Sequence, residues 1–270
     1  MARAETAPAR SVARPTDAPP IAHDADRAIP GASRPARPLD LKPAELPRHV
    51  AVIMDGNRRW ARSRGLSEIE GHAAGVDALR RLIRHAVVRE IRMLTLYAFS
   101  RENWARSDDE VNGLFGLLEQ AIRDETDELR EQGVRVHLLG RLEELPAETR
   151  TSVMDALGRT STGDRLQLNV ALNYAGRTEL VDAVRRIVAE GIPPSAIDER
   201  TISDRLYTAG MPDPDLVIRT GSEQRLSNFL IWQAAYAEFY WCDSLWPDFG
   251  AEAFDAALIE FARRNRRFGR

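Results

Sequence analysis

Residues 49–65 read HVAVIMDGNRRWARSRG, and this stretch decides the fold of the chain. Residues 50–54 are apolar without alternation and lead directly into Asp55, after which arginines and Trp60 follow at once. An unbroken apolar run of this length is typical of a strand buried on both faces of a parallel sheet. Ligands bind beyond the carboxyl ends of such strands. The stretch therefore predicts both the kind of sheet and the place of a site.

Similar apolar runs recur along the chain and alternate with helical patterns. The predicted strands cover residues 50–54, 93–99, 134–139, 168–172, 216–219 and, more weakly, 239–242. The predicted helices cover residues 71–88, 107–133, 178–191 and 252–267, with Ser107 as an N-cap and Glu110 at the capping-box position. Alternation of this kind predicts a single α/β domain over residues 41–270, with a six-stranded, mostly parallel sheet flanked by helices.

The first 40 residues differ from the rest in composition. They are rich in Ala, Pro, Arg and Asp, and almost free of large apolar residues. Such a segment cannot bury enough apolar surface to offset the entropy lost on ordering. We predict a disordered tail over residues 1–40, with a targeting or docking arm as the alternative.

Composition and charge narrow the class of protein. The apolar fraction of 43% and the charged fraction of 29% are ordinary for a soluble globular protein. A net charge of −3 gives no overall attraction to nucleic acid, so no nucleic-acid partner is predicted. The single cysteine, Cys242, excludes an intrachain disulfide and suits a reducing cytoplasm. With no apolar run of membrane-span length and no signal-peptide pattern, we expect a cytoplasmic protein.

Polar and cationic residues follow four of the predicted strands, where one edge of the sheet would gather them. They are Asp55, Gly56, Asn57, Arg58, Arg59, Trp60; Ser100, Arg101, Glu102, Asn103, Trp104, Arg106; Asn173, Tyr174; and Arg219, Thr220, Gly221, Ser222, Arg225, Ser227. Arginine forks suit phosphate oxygens, and a carboxylate among them suits a Mg²⁺ ion that bridges phosphates. The tryptophans suit an apolar group. This edge predicts a phosphorylated ligand with an apolar part.

Each of these residues also has a structural interpretation. Asp55 is equally typical of a helix N-cap, and Ser227 of the cap of a helix over residues 228–238, in which Trp232 and Tyr236 would be core residues. An arginine pair often belongs to a solvated face, and a histidine between glycines often makes local hydrogen bonds. The chain contains no P-loop, no GxGxxG after the first strand, no GxSxG and no zinc-ligand spacing.

Five motifs carry a resemblance to a known family. They are HVAVIMDGNRRWA, GHAAG, LTLYAFSRENWAR, LNYAGR and DLVIRTGSEQRLSNFLIWQAAYAEFYW with the following LWPDF. Together they resemble the cis-prenyltransferases, and within them the bacterial undecaprenyl diphosphate synthases, over about residues 46–270. The resemblance implies condensation of an allylic diphosphate, farnesyl diphosphate in the typical case, with successive isopentenyl diphosphates to form Z double bonds. It also implies Mg²⁺, a homodimer, an apolar tunnel between sheet and helices, and at most peripheral membrane contact for release of the product.

The resemblance also implies roles for individual residues. Asp55 would handle Mg²⁺ and the diphosphates, Glu238 would be a second Mg²⁺ ligand, and Asn103 would be the candidate proton acceptor. The allylic diphosphate loop would comprise Gly56, Asn57, Arg58, Arg59 and Trp60, joined by His72 and Arg106. The residues under the allylic chain would be Ser100, Arg101, Glu102 and Trp104. The isopentenyl diphosphate would be held by Arg219, Arg225, Leu226 and Ser227. Ala98 and Leu166 would line the tunnel, and residues 266–269 would reach toward the partner subunit.

Three positions depart from the family pattern. Arg58 and Ser222 stand where Gly is usual, and Glu68 stands where Arg is usual. An acid near the allylic diphosphate would repel it, and Arg58 is interpreted as a compensating cation. Replacing Arg58 by Gly is therefore predicted to raise the KM for the allylic substrate.

Three other functions remain open from the sequence. One is a non-catalytic partner subunit of the same fold, and the retained Asp55, Asn103 and Arg219 count against it. Another is a short-chain Z-prenyl synthase or a specialised terpenoid enzyme, for which the three departures leave room. The third is a phosphoesterase with Asp55 as nucleophile, which lacks an evident general base.

Overall fold

The computed structural model describes residues 41–264. The predictions of a disordered tail over residues 1–40 and of a partner-directed motif at residues 266–269 therefore lie outside the described residues. The strands are β1 (His49–Ile53), β2 (Met93–Ser100), β3 (Val134–Leu139), β4 (Leu166–Tyr174), β5 (Leu216–Arg219) and β6 (Glu238–Trp241). The helices are α1 (Asn57–Ser63), α2 (Glu68–Val88), α3 (Asp108–Glu131), α4 (Ala147–Arg159), α5 (Gly176–Ala189), α6 (Glu199–Ser203) and α7 (Ala251–Arg263).

The six strands form one sheet in the order β3-β4-β2-β1-β5-β6, and every neighbouring pair is parallel. The predicted six-stranded sheet is confirmed, and it is parallel throughout rather than mostly so. Since all strands run the same way, their carboxyl ends lie along one edge. Ile53 pairs with Arg219 across β1 and β5, which brings the residues after these two strands side by side.

The central strand is buried on both faces, as its unbroken apolar run predicted. Val50 and Val52 belong to the core that α2 and α7 share with one face of the sheet. Ala51 and Ile53 point to the opposite face, into a second core that contains Phe229. Each of the four side chains is at most 5% exposed. Alternate residues thus enter different cores, which is why no polar residue interrupts the run.

One predicted helix is absent. Residues 228–238 form turns and a short 3-10 helix, Gln233–Tyr236, because Asn228 and Leu230 adopt positive φ angles of 63° and 44°. Tyr236 is 77% exposed rather than part of the core. The first residue of α5 stabilises this turn, since Gly176 N donates a hydrogen bond to Asn228 O at 2.7 Å.

Candidate active site

Asp55 lies just beyond β1, in an ion pair with the last residue of β5. Its Oδ2 accepts a hydrogen bond from Arg219 Nη2 at 2.8 Å, and its Oδ1 is 3.2 Å from Arg59 Nη2. The Thr220 hydroxyl fixes the turn, accepting from Asp55 N at 2.9 Å and donating to Asp55 O at 2.6 Å. The N-cap of α1 is Gly56, so Asp55 is not the helix cap. Its carboxylate therefore takes part in the site rather than in capping α1.

Gly56 is needed for this turn. Its φ of 118° is left-handed, and a Cβ there would lie 2.9 Å from the Leu245 side chain. A side chain at this position would be both strained and obstructed. The geometry therefore explains why glycine follows Asp55, and it assigns Gly56 a backbone role.

Arg219 connects the two sides of the site. Its side chain is only 4% exposed, and its Nη1 donates to Arg225 O at 2.5 Å and to Ser227 Oγ at 2.8 Å. A single guanidinium thus links the carboxylate after β1 to the loop after β5. Ser227 is used by this arginine rather than as a helix cap. The Arg225 side chain lies in a neighbouring ion pair with Glu223 and is exposed.

The start of α2 brings together two of the three residues that depart from the family pattern, Arg58 and Glu68. Arg58 Nε lies 2.8 Å from Glu68 Oε1, and Arg62 Nη2 lies 3.0 Å from the same oxygen. The Arg58 guanidinium beside Glu68 lowers the pKa of that carboxyl below its usual value. The acid is therefore neutralised by cations of α1. The Trp60 side chain does not join this cluster. Its Nε1 donates to Asp248 Oδ1 at 2.8 Å, and the Arg64 guanidinium stacks over its ring.

His72 and Arg106, which lie far apart in the sequence, meet at Glu110. Arg106 Nη1 is 2.8 Å from Glu110 Oε1, and His72 Nε2 is 3.5 Å from the same atom. Asn57 Nδ2 lies 3.4 Å from His72 Nδ1. Burial, followed by the nearby Arg106 cation, lowers the pKa of His72. The ring is neutral near pH 7, so the cation on this side of the site is Arg106.

Glu110 is a site residue that the sequence reasoning missed. The capping-box prediction assigned its carboxylate to the start of α3, and Ser107 Oγ does accept from Glu110 N at 3.4 Å. The carboxylate instead pairs with Arg106. An acid four residues after a site arginine was the available signal.

Ser100 and the following 3-10 helix, Arg101–Ala105, form the third side of the site. Asn103 Oδ1 accepts from Ser100 N at 3.0 Å, which fixes the amide beside the cavity. Trp104 Nε1 donates to Asn173 Oδ1 at 2.9 Å. Arg101 pairs with Glu144, and Glu102 accepts from Asn228 Nδ2 at 2.9 Å.

Asn173 of β4 and Glu144, which precedes α4, therefore support this segment. Asn173 donates to Glu144 at 3.0 Å, and this bond, followed by that from Arg141, lowers the pKa of Glu144 to about 2. Asn173 was noted in the sequence as a strand-end residue without a role. Glu144 carried no sequence signal.

Glu238 is not brought to Asp55. It is the first residue of β6, where it pairs with Leu216, whereas Asp55 follows the opposite ends of the strands. Trp241 at the site edge is three steps along the strand from Glu238, which is about 10 Å at about 3.3 Å per step. Its carboxylate is bound instead by Arg264 Nη1 at 3.0 Å. The role of Glu238 as a second Mg²⁺ ligand therefore stays a prediction.

Two neighbouring cavities extend inward from this edge, between the sheet and helices α2 and α3. The cavity at the edge, which we call the near cavity, has a volume of about 400 Å³. Its polar lining consists of Asp55, Asn57, His72, Ser100, Asn103, Arg106, Arg219, Arg225 and Ser227. Its apolar lining includes Val76, Leu79, Ala98, Phe99, Leu114, Phe115 and Leu118.

The far cavity, of about 130 Å³, lies deeper and shares Ala98 with the near cavity. Leu166 lines neither of them. It is the first residue of β4, pairs with Val134 and is buried in the core at the opposite end of the strand from the site. Of the two predicted tunnel residues, Ala98 therefore lines these cavities and Leu166 does not.

Several predicted site residues surround the near cavity without lining it. They are Gly56, Arg58, Arg59, Trp60, Arg101, Glu102, Trp104 and Leu226. The hydrogen bonds above show that most of them fix the backbone or another side chain.

The donor set at Asp55 fits a Mg²⁺ ion. Among residues 41–264 no group of three or more His, Cys, Asp or Glu side chains could hold a metal. Mg²⁺ does not need such a group, since it commonly takes one or two carboxylates with substrate phosphates and water. Each Asp55 oxygen has one arginine neighbour and keeps further lone-pair capacity.

Of the helices in the described part of the chain, none is long and apolar enough for a membrane span.

The chain is similar to known proteins over most of its length. The family model described as "Putative undecaprenyl diphosphate synthase" matches residues 53–269. An isoprenyl transferase from Heliobacterium mobile is 48% identical over 233 residues, covering 85% of this chain and 90% of the relative.

Two solved structures are also similar. Lavandulyl diphosphate synthase from Lavandula x intermedia, in complex with dimethylallyl diphosphate, has a TM-score of 0.82 and 37% identity, covering 84% of this chain and all of that one. A probable undecaprenyl diphosphate synthase from Campylobacter jejuni has a TM-score of 0.70 and 32% identity, covering 83% of this chain and 99% of its own.

Proposed function

The chain belongs to the undecaprenyl diphosphate synthase family of isoprenyl transferases, and from this premise we propose the reaction that it catalyses. The proposed enzyme is Mg²⁺-dependent and joins farnesyl diphosphate, the allylic substrate, to successive isopentenyl diphosphates. Its product is a Z-polyprenyl diphosphate of undecaprenyl length, which serves as the lipid carrier of cell-wall synthesis.

One observation carries this proposal, namely the division of the near cavity into a charged mouth and an apolar interior. The mouth contains Asp55, Arg106 and Arg219, and the walls behind it are lined by side chains such as Leu114 and Leu118. A diphosphate fits the arginines, and a hydrocarbon chain fits the walls. A phosphoesterase has no use for such an interior.

Two separate cationic groups suit a reaction between two diphosphates. We assign Arg106, with Asn57 and His72, to the allylic diphosphate. Arg219, with Arg225 and Ser227, is assigned to the isopentenyl diphosphate. Holding both substrates in contact removes most of the entropic barrier to their reaction. Asp55 lies between the two groups and is in direct contact with Arg219.

The proposed bond changes follow from these positions. The allylic C–O bond breaks and the diphosphate leaves with the electron pair. The double bond of isopentenyl diphosphate then forms the new C–C bond to the allylic carbon. A proton leaves the adjacent carbon to give the new double bond, and Asn103 is the proposed group that receives or guides it. Arginines at the mouth stabilise the charge that develops on the leaving diphosphate.

A Mg²⁺ ion, when bound, would neutralise diphosphate oxygens and so assist departure of the leaving group. Asp55 is the residue that would hold it. We further propose a homodimer in the cytoplasm, with peripheral contact to the membrane where the apolar product is released.

The proposal is tested with purified protein, labelled isopentenyl diphosphate, farnesyl diphosphate and Mg²⁺. We expect elongated products of undecaprenyl length, and we expect chelation of Mg²⁺ to abolish them. Asp55→Asn should lower kcat at least 100-fold, on the order of 3 kcal/mol of transition-state stabilisation. Asp155→Asn, which changes an exposed acid on α4, is the matched control and should behave as wild type. A wild-type protein that makes no elongated product contradicts the proposal.

The likeness to lavandulyl diphosphate synthase favours a second candidate. In that case the chain condenses short substrates and stops early. The same assay with dimethylallyl diphosphate as primer separates the two, because only the second candidate gives short products as the main outcome.

A further inference from the structure

The near and far cavities meet along a common wall. Both are lined by the same six residues, Met54, Val76, Leu79, Ala98, Leu118 and Ala121. An apolar group that enters past Asp55 therefore faces a second apolar space directly behind the first. The sheet side of that space is formed by Leu96, Leu168 and Val170.

The charged residues that line the far cavity come from α2 and α3, where the two helices meet. They form two ion pairs across this seam. Arg80 Nε lies 2.6 Å from Glu125 Oε1, and Arg84 donates from Nε and Nη2 to both oxygens of Glu128, each at 2.6 Å. We call these four residues the seam ladder. Gln132 Nε2 also donates to Glu128, at 2.5 Å.

The seam ladder is well built for a partly exposed set of ion pairs. Arg84 and Glu128 form a bidentate pair, the geometry in which an arginine and a carboxylate bind most firmly. The Arg80 and Glu125 side chains are 26% and 21% exposed, so they are partly shielded from water, whereas Arg84 and Glu128 are 52% and 36% exposed. Below the ladder, Ile83, Ile122 and Leu129 close the far cavity on its apolar side.

We propose that the seam ladder is a specificity device, which closes the far cavity and sets how long a hydrocarbon chain can grow before it must part α2 from α3. The inference rests on the proposed function, because it requires a growing apolar chain that enters from the near cavity.

The physical reason is the cost of separating the ladder. A chain that outgrows both cavities can continue along the seam only if Arg84 leaves Glu128, or Arg80 leaves Glu125. Arg80 and Glu125, which are partly shielded from water, would lose their partner with little solvent to replace it, and Arg84 and Glu128 would lose their bidentate geometry. Uncharged side chains at these positions would part more easily, so longer chains should then form.

The test compares product lengths from farnesyl diphosphate, labelled isopentenyl diphosphate and Mg²⁺, measured by mass spectrometry. In one variant Arg84→Gln and Glu128→Gln are combined, which neutralises the bidentate pair. A second variant exchanges the charges through Arg84→Glu with Glu128→Arg. We expect products longer by one or more isoprene units from the neutral variant, and a return toward wild-type lengths from the exchanged one.

The matched control lies one residue along α3. Asp127 pairs with Arg159 of α4, and neither side chain lines the far cavity. Asp127→Asn with Arg159→Gln removes an ion pair from the same helix and should leave product lengths unchanged. Thermal unfolding of every variant identifies any that does not fold, and single Glu128→Gln then replaces the neutral double variant.

The outcomes separate this inference from the proposed function. Wild-type elongation with the same product lengths in the neutral variant overturns the inference alone. Equal lengthening in the Asp127 and Arg159 control also overturns it, because a general loosening of α3 would then be the cause. A wild-type protein that does not elongate overturns both.

Discussion

At the scale of single residues, Arg58 pairs with an acid near the site rather than lining the near cavity. The sequence suggested that it replaces a cation lost at Glu68. In the structure it lies against Glu68 itself, together with Arg62, and it does not line the near cavity. Its effect on a diphosphate is therefore indirect, since it cancels an acid that would otherwise repel the substrate.

We expect Arg58→Gly to raise the KM for the allylic substrate by roughly three- to tenfold with little change in kcat, because about 1.4 kcal/mol is tenfold in affinity. Steady-state kinetics with varied farnesyl diphosphate measure this. Adding Glu68→Gln to the variant should restore the wild-type KM. Arg62→Ala is the control for the more exposed contact and should have the smaller effect. A KM that stays high after removal of the acid would show that Arg58 acts on the substrate directly.

Ser222 is a second single-residue departure, and its backbone explains the usual glycine. It has a φ of 65°, a left-handed conformation that costs a non-glycine residue about 1–2 kcal/mol. Its amide donates to Cys242 O at 3.0 Å, so the conformation is held in place. After allowance for the greater entropy of glycine in the unfolded chain, Ser222→Gly should increase the free energy of unfolding by about 0.5–1 kcal/mol. Urea unfolding measures it, and a loss of stability would contradict the strain argument.

At the scale of elements, the strands could be predicted closely because a strand buried on both faces has an apolar run of its own. β3 and β5 match their predicted bounds, and β1 is displaced by one residue. Helices α1, α4 and α6 were not predicted. Their sequences are short or polar, and α1 is fixed by the turn at Gly56 and by packing on α2 rather than by its own pattern. Local sequence carries little of such information.

Helix α5 is joined to its surroundings by one buried acid, Glu179. The side chain is 1% exposed and accepts hydrogen bonds from Tyr207 N at 2.8 Å, from Gln233 Nε2 at 3.1 Å and from the Tyr174 hydroxyl. Burial raises the pKa of this carboxyl. Three separate segments thus depend on a single acceptor group.

We expect Glu179→Ala to lower the free energy of unfolding by about 2–4 kcal/mol, because it leaves several buried donors without an acceptor. Glu179→Gln keeps one acceptor oxygen and removes the cost of burying a charge, so it should be much milder. Denaturant unfolding at pH 7 compares the two variants. Equal losses would mean that shape, and not the acceptor, is what Glu179 provides.

At the scale of the whole molecule, the sheet explains why much of the site was predictable. Strand ends far apart in sequence meet at one edge, so Asp55, Asn103 and Arg219 could be grouped from their positions after apolar runs alone. The sequence could not show which cations would be paired with acids, since Glu68, Glu110 and Glu144 come from other elements. Glu238 lies at the start of β6, as expected, and the parallel sheet sets strand starts apart from the strand ends that surround Asp55.

Protonation of the buried His49 should make the stability of the whole fold depend on pH. His49 is 1% exposed, with Nδ1 2.8 Å from Pro212 O and Nε2 2.7 Å from Thr95 Oγ1. Thr95 Oγ1 in turn accepts from Asn169 Nδ2 at 2.9 Å, so the hydroxyl proton can be donated to His49 Nε2. A neutral ring fits this network. Burial lowers the pKa of His49 below 6.5.

The sign of the pH effect follows from this direction. A histidine whose pKa is lowered by folding binds fewer protons in the native state than in the unfolded chain, so its contribution to stability is complete above about pH 6.5 and is lost as the pH falls. Each such histidine can add at most about 1.4 kcal/mol per pH unit to this slope. We expect the free energy of unfolding to be constant near pH 8 and to decrease from pH 6.5 to pH 5. Urea unfolding of wild type and His49→Gln across this range measures the slopes. The variant should be less stable at pH 8 and should lose less stability on acidification, whereas parallel curves would show that His49 is not a source of the pH dependence.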